Sequence, residues 1–285
     1  MSGMAGQSGA AVEVTERDGA LWIRLNRPER RNAYDIDMAR AVIDALDTAT
    51  RLHAVVITGS GGSFCAGGAL DQLDDPDPDL LRTLFHTSAR MLQAVRDCPR
   101  PVFAAVDGPA AGGGNELVVA CDLAIATPRA TFGQTGPRVG SAPVLGATNH
   151  MAVQIGEKKA KELTLLCRRY SAEQALRMGL INEVVEVDSD GNGDGNGNGD
   201  GDQTAALERR VGEWIDELKA LSPLYLEISK VSSNLWWNTG QDSMSNGLAM
   251  LTQAVGSDDM REGARAFVEK RRPEFPPPGT GTRRS

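Results

Sequence analysis

Residues 101–116 read Pro-Val-Phe-Ala-Ala-Val-Asp-Gly-Pro-Ala-Ala-Gly-Gly-Gly-Asn-Glu. The opening six form an apolar run of strand length, and Asp107-Gly108 is a turn signal. Gly112 to Cys121 then reads as a helix, so three glycines stand where a strand hands over to a helix N-terminus. The segment upstream repeats the arrangement. His53-Ala-Val-Val-Ile-Thr58 has the short apolar pattern of a buried strand and runs into Gly59-Ser-Gly-Gly62. Further out, Val12 to Leu25 alternates apolar and polar residues around Asp18-Gly19, a β-hairpin. Asp35 to Leu46 carries apolar residues at Ile36, Ala39, Val42, Ile43 and Leu46, a helical period. Asp79 to Asp97 is a predicted helix, Leu123 to Ala126 a strand, and Gly156 to Cys167 and Ser171 to Met178 helices. Thr204 to Leu221 and Leu224 to Val255 also read as helices. Strand and helix alternate through the first two thirds of the chain, which predicts the α/β class.

The chain has 285 residues, 41% of them apolar and 24% charged. It can bury a substantial core without disulfide or metal staples. The formal net charge of −8 argues against non-specific nucleic-acid binding, which needs cations to neutralise phosphates. No apolar run is long enough to span a membrane, so no membrane association is expected. Cys65, Cys98, Cys121 and Cys167 show no Cys-x-x-Cys spacing, which leaves no zinc or redox motif and suits a reducing cytoplasm.

Composition divides the chain into a disordered N-terminus (1–11), a core (12–187), an acidic Gly/Asp/Asn-rich mobile insertion (188–203), a C-terminal helical region (204–275) and a disordered tail (276–285). A calcium loop is the sharper reading of the insertion. Asp190, Asn192, Asp194 and Gly195 begin like an EF-hand loop, but its twelfth position is Gly201 rather than a bidentate glutamate. A solvated acidic linker is therefore expected, and no metal site.

Three stretches offer chemistry. Gly61 to Gly68 follows one strand, and Gly108 to Glu116 joins another strand to a helix. Glycines there let backbone N–H groups face a ligand, and a helix start adds the positive end of its dipole. No Gly-Lys-Ser/Thr follows either loop, so a P-loop is not expected. Together the two loops suggest N–H donors converging on one oxygen. The third stretch, Ala130 to Ser141, is rich in turn-formers and carries Gln134, Thr135 and Ser141.

Arg27-Pro28 with Asn32-Ala33, Phe64-Cys-Ala-Gly-Gly68, Gly112-Gly-Gly-Asn-Glu116, Cys121-Asp122, Phe132-Gly-Gln134 and Met178-Gly-Leu-Ile-Asn182 occur in that order. In this combination the chain resembles the crotonase (enoyl-CoA hydratase/isomerase) superfamily over roughly residues 12–275. The resemblance implies a crotonase-like spiral of ββα units, with a C-terminal helical region that mediates a homotrimer or a dimer of trimers. It implies an acyl-CoA substrate, no separate cofactor, and an oxyanion hole from the Gly68 and Gly113 amides that stabilises a thioester enolate. Glu116 matches the first of the two glutamates of a hydratase. The second aligns with Gly136, which has no side chain. Substrate contacts are implied at Ala33, Cys65, Ala66, Gln134, Thr135, Gly136 and Ser141. Arg27, Arg31 and Lys270 are candidates for the CoA nucleotide, with plain surface solvation as the competing reading.

The stretch Phe132 to Ser141 resembles a narrower branch that holds 1,4-dihydroxy-2-naphthoyl-CoA synthase and the ring-opening hydrolases of alicyclic oxo-acyl-CoA thioesters. In the synthase, bicarbonate can serve as base beside the residue matched by Gly136. The synthase's aspartate is replaced here by Pro143 and its tyrosine by Val255, whereas Glu116 stands at an apolar position of that enzyme. The ring-opening hydrolases are the better match. The expected function is thus hydratase-type water addition, with ring opening as the narrower form and the synthase as alternative. A non-catalytic CoA-binding protein is the rival of another class. His86 and His150 show no carboxylate partner in sequence, Trp236, Trp237, Met244 and Met250 fit helix packing, and Cys65 fits a small buried filler.

Overall fold

The computed structural model describes residues 9–69, 77–186 and 199–277, with only the backbone at 199–202. The elements are, in order, β1 (Val12–Arg17), β2 (Ala20–Leu25), α1 (Ile36–Asp47), β3 (Ala54–Gly59), α2 (Pro78–Asp97), β4 (Val102–Val106), β5 (Pro109–Ala111), α3 (Gly113–Ala120), β6 (Leu123–Ala126) and β7 (Thr131–Gly133). There follow α4 (His150–Ile155), α5 (Glu157–Leu166), β8 (Arg169–Ser171), α6 (Ala172–Arg177), β9 (Glu183–Val184), α7 (Gly199–Lys219), α8 (Pro223–Ser233), α9 (Leu235–Thr239), α10 (Gln241–Gln253) and α11 (Asp258–Val268).

The hairpin forms where the sequence places it. Asp18 and Gly19 both take positive φ, as a two-residue turn between right-twisted strands requires. Asp35 caps α1 by accepting from the Met38 amide at 2.9 Å. A six-stranded sheet runs β1-β2-β3-β4-β6-β9, antiparallel only between β1 and β2. A second sheet, β5-β7-β8, stands beside it.

Both faces of the main sheet are covered, which accounts for the unbroken apolar run of β3. Leu21, Ile23, Val55, Ile57, Val102, Ala104 and Val106 belong to the large core with α1, α2 and α3. Their alternating neighbours Trp22, Val56, Phe103, Ala105 and Ile125 pack against Ala206, Leu207, Val211 and Ile215 of α7. The spacing of those α7 residues is one helical face. The helix begins at Gly199, so the last residues assigned to the acidic insertion, Gly199 to Gln203, are helical instead. Residues 188–198, most of the calcium-loop candidate, lie outside the described residues, as do residues 1–8 and 278–285.

The helical run expected from Leu224 to Val255 is broken into α8, α9 and α10. Asn234 causes the first break by turning its side chain to α2. Its Nδ2 donates to the Arg96 carbonyl at 3.0 Å, and its Oδ1 accepts from the Arg96 guanidinium. Beneath this contact lies a buried charge cluster. Lys230 Nζ meets Asp122 Oδ2 at 2.7 Å and donates to the carbonyls of Val95 and Arg100. The same oxygen accepts from the Val102 amide at 2.8 Å, and Arg96 lies 3.8 Å from the other. Burial pulls the Arg96 pKa down, and Asp122 opposes that shift. The cluster fixes the C-terminal helices to β4 and α2.

Replacing Asp122 by alanine would leave two buried cations without their counter-charge. The expected loss is about 3–5 kcal/mol, read from urea midpoints. A loss below about 1 kcal/mol would show that Lys230 and Arg96 find other partners.

Candidate active site

Parallel strands β3 and β4 both end on the same side of the sheet, and the loops that follow them meet there. Cys65 and Ala110 form an isolated parallel bridge, and the Ala111 amide donates to the Cys65 carbonyl at 2.9 Å. At residue 67 the approach becomes too close for a side chain. Gly67 has φ +95°, and a Cβ there would lie 2.8 Å from the Gly113 nitrogen. The contact is thus backbone against backbone.

This geometry leaves two amides unspent. Tyr34 N donates to the Gly67 carbonyl at 2.9 Å and Ala69 N donates to the Tyr34 carbonyl at 2.8 Å. In such a parallel bridge the residue between, Gly68, turns its own N–H to the opposite side. Gly113 is the first residue of α3, so its N–H has no intrahelical acceptor. Neither amide has a protein acceptor among the described residues. Both line one cavity of about 70 Å³, room for a few waters.

Glu116, one helical turn beyond Gly113, is buried at 4% exposure and lines the same cavity. Its Oε1 accepts from the amides of Leu145 at 2.7 Å and Ala147 at 3.3 Å. Burial pushes its pKa up to about 7, and the two amide hydrogen bonds only partly oppose the shift. Near neutrality the group therefore exists in both protonation states, as a proton carrier must.

Leu81, Leu84 and Phe85 of α2 and Leu251 of α10 add apolar wall, and Tyr34 and Ser88 add hydroxyls. No lysine, arginine or histidine lines the cavity, and Glu116 is its only acidic side chain among the described residues. Gln134 is wholly buried, and both polar atoms of its amide lack a hydrogen-bond partner among the described residues. A buried amide without partners is costly, so its place on a cavity wall points to a polar group that completes it.

Of the residues singled out in the sequence, the cavity gathers Ala66, Gly68, Gly113, Glu116, Gln134, Thr135, Gly136 and Ser141. Arg27, Arg31, Ala33, Cys65 and Lys270 do not line it. Arg27 pairs with Asp35 beside the cap of α1. Arg31 and Lys270 are exposed, and Ala33 is partly buried behind the loop. Cys65 is fully buried, with its thiol directed at the Asn32 carbonyl. His86 is exposed on α2, and His150 packs edge-on against Trp237 at 4.9 Å, away from the cavity. Sequence reading missed Tyr34, Ser88 and the two amides that hold Glu116. Tyr34 directly follows the quoted Asn32-Ala33 pair, which was a usable signal. The amides of Leu145 and Ala147 leave none.

Gly136 is crowded as well as bare. A Cβ there would stand 3.0 Å from the Ser141 carbonyl oxygen and 3.1 Å from Ala142 and Pro143. The loop 141–143 thus leaves little room for the first carbon of a side chain at residue 136.

The family model described as enoyl-CoA hydratase/isomerase matches residues 15–189. Among solved structures, an enoyl-CoA hydratase from Mycobacterium avium subsp. paratuberculosis K-10 superposes with a TM-score of 0.77 at 26% identity, over 94% of this chain and 99% of that one. EchA1_1 from Mycobacterium paratuberculosis gives 0.77 at 30% identity over 94% and 99%. An enoyl-CoA hydratase from Bacillus halodurans, at 22% identity, shares the fold with a TM-score of 0.78 over 90% and 100%.

Two measurements check the geometry. Folded Glu116 binds its proton at about pH 7 against the ordinary 4.5, so its contribution to stability is full below about pH 4.5 and is lost as pH rises through about 7. Glu116→Gln should flatten that slope when urea midpoints are compared at about pH 5 and about pH 8. An unchanged slope would place the titration elsewhere. Gly136→Glu should cost about 1–3 kcal/mol through overpacking, and a neutral result would mean that loop 141–143 yields freely.

Proposed function

Since the chain belongs to the enoyl-CoA hydratase/isomerase family, and so to the crotonase enzymes, we propose that it adds water to an α,β-unsaturated acyl-CoA thioester with one carboxylate. The carrying observation is Glu116, poised near pH 7 in the cavity that also holds the two unspent amides of Gly68 and Gly113. The thioester oxygen accepts from both amides. Glu116 takes a proton from water as the water oxygen bonds to the β-carbon. The π electrons shift toward the thioester oxygen, whose developing negative charge the amides stabilise. Glu116 then returns its proton to the α-carbon. The net change is one water across the double bond, with the carboxylate restored.

Ring opening of an alicyclic oxo-acyl-CoA is the narrower reading. It is favoured by the unpartnered Gln134 amide, which suits a second oxygen on the acyl group rather than a plain alkyl chain. Water addition to the conjugated double bond of the ring would come first. A second water would then attack the ring ketone, and the bond from that carbon to the α-carbon would break with its electron pair delocalised onto the thioester oxygen. Protonation of the α-carbon would leave an open-chain carboxylic acid. The naphthoyl-CoA synthase alternative fits less well. Pro143 lines the cavity and can accept no proton, and Glu116 puts a carboxyl where that resemblance has an apolar side chain. The surroundings of Gly136 do not favour bicarbonate either, because no cation among the described residues lines the cavity and loop 141–143 crowds that position. A non-catalytic CoA binder would have no use for a buried carboxyl held half-protonated.

CoA phosphates are assigned to the exposed Arg31 and Lys270 and to Arg27, though Arg27 must share its charge with Asp35. A homotrimer or dimer of trimers is supported by apolar side chains that the monomer leaves exposed on α8 and α9, among them Tyr225, Ile228, Val231 and Trp236. No helix among the described residues is long and apolar enough to cross a membrane. The four free, buried cysteines favour a cytoplasmic setting.

The test is product mass after incubation with linear enoyl-CoA, cyclic oxo-acyl-CoA and succinylbenzoyl-CoA thioesters. Gain of water on a linear or cyclic enone supports the proposal, and gain only on the cyclic substrates, ending in an open acid, supports ring opening. Loss of water from succinylbenzoyl-CoA would favour the synthase instead. Glu116→Gln should keep CoA affinity while turnover falls about 10²–10⁴-fold. Wild-type activity should rise with pH through about 7, where the carboxylate forms. Unchanged turnover in the variant would remove Glu116 from the chemistry.

A further inference from the structure

Resting on the water-addition reading, we propose that Tyr34 is the second group that holds the attacking water. A water that attacks carbon needs both hydrogens directed away and a lone pair facing the substrate. One hydrogen goes to the Glu116 carboxylate. The other needs a second acceptor, and Gly136 supplies none.

Tyr34 stands where that acceptor is needed. It is 3% exposed and lines the cavity. Its hydroxyl lies so close over Gly113 that a Cβ on residue 113 would collide with it. It is therefore beside one of the two amides assigned to the thioester oxygen. It is also near enough to Glu116 to feel that charge. Burial drives the phenol well above its ordinary range, so it remains a neutral hydroxyl at every pH at which Glu116 titrates.

Hydrogen accounting sets the polarity of the contact. Ser88 Oγ has one hydrogen, and it is directed at the Leu84 carbonyl at 2.7 Å, the preceding turn of α2. Ser88 therefore has no hydrogen left to direct at the phenol oxygen of Tyr34. The lone pairs of that phenol oxygen are left to accept from a water in the cavity. The water then donates one hydrogen to Tyr34 and one to Glu116, and its free lone pair can reach the β-carbon. In this arrangement Tyr34 is a catalytic residue because it touches the reacting water.

The deciding variant is Tyr34→Phe, which keeps the ring that packs under Gly113 and removes only the hydroxyl. Two rates separate water-holding from oxyanion support or packing. Hydration of the enoyl thioester needs the water. Exchange of the α-hydrogen of a saturated acyl-CoA into deuterated solvent needs only Glu116 and the two amides. Tyr34→Phe should lower hydration kcat about ten- to a hundredfold, the worth of one or two hydrogen bonds, with KM and α-hydrogen exchange nearly unchanged. The pH midpoint of activity should stay with Glu116 in the variant. Equal loss of hydration and exchange would make Tyr34 a support for the oxyanion hole and overturn the assignment. Unchanged hydration in Tyr34→Phe would overturn it as well. Wild-type protein that hydrates no thioester would instead defeat the underlying reading, and the role of Tyr34 with it.

Discussion

The site exists because two backbone segments, 65–68 and 110–114, touch without side chains between them. The Ala111–Cys65 hydrogen bond sets the register, and the glycine at 67 permits the final approach. Residues 114 and 65 are closer still, since a Cβ on residue 114 would run into the Cys65 carbonyl. This contact places two amides from different segments at one cavity. A side chain inserted at either point would push the segments apart and separate the donors. Preorganised donors act on a developing charge only if they are already in place, so rigidity here is part of the chemistry.

The carboxyl of Glu116 is arranged on the same principle. Two amides from the loop after Pro143 hold one oxygen, and apolar walls remove the water that would otherwise stabilise its charge. The fold gives up stability to keep a buried acid near neutrality, which is common where a group must both take and return a proton. The buried charges of Asp122, Lys230 and Arg96 do the opposite kind of work. They are paired, do not line the cavity, and fasten the C-terminal helices to the sheet.

Much of this was legible in the sequence because it is local. Period-two and period-3.6 patterns mark β2, β3, α1 and α2 to within a residue or two. The two Gly-rich loops, each following a strand, announce backbone donors, and Gly68, Gly113 and Glu116 do meet in one cavity. What escaped is non-local. The break at Asn234 comes from a partner on α2 far back in the chain. The holders of Glu116 are backbone amides, which no residue type advertises. Cys65 and Ala33 sit in the right segments, but their side chains turn away from the cavity, and direction is not encoded by neighbourhood in sequence. Tyr34 reads as one more apolar residue until its hydroxyl is seen over Gly113.

The wall contributed by Leu251 of α10 bears on how this protein is made. Synthesis proceeds from the N-terminus. The two touching segments and Glu116 leave the ribosome well before α10 does. An incomplete chain can therefore hold the donor amides and the acid while lacking the wall that keeps solvent off them. Closure is in this sense delayed: one wall of the cavity is added by a helix that appears some time after the acid does.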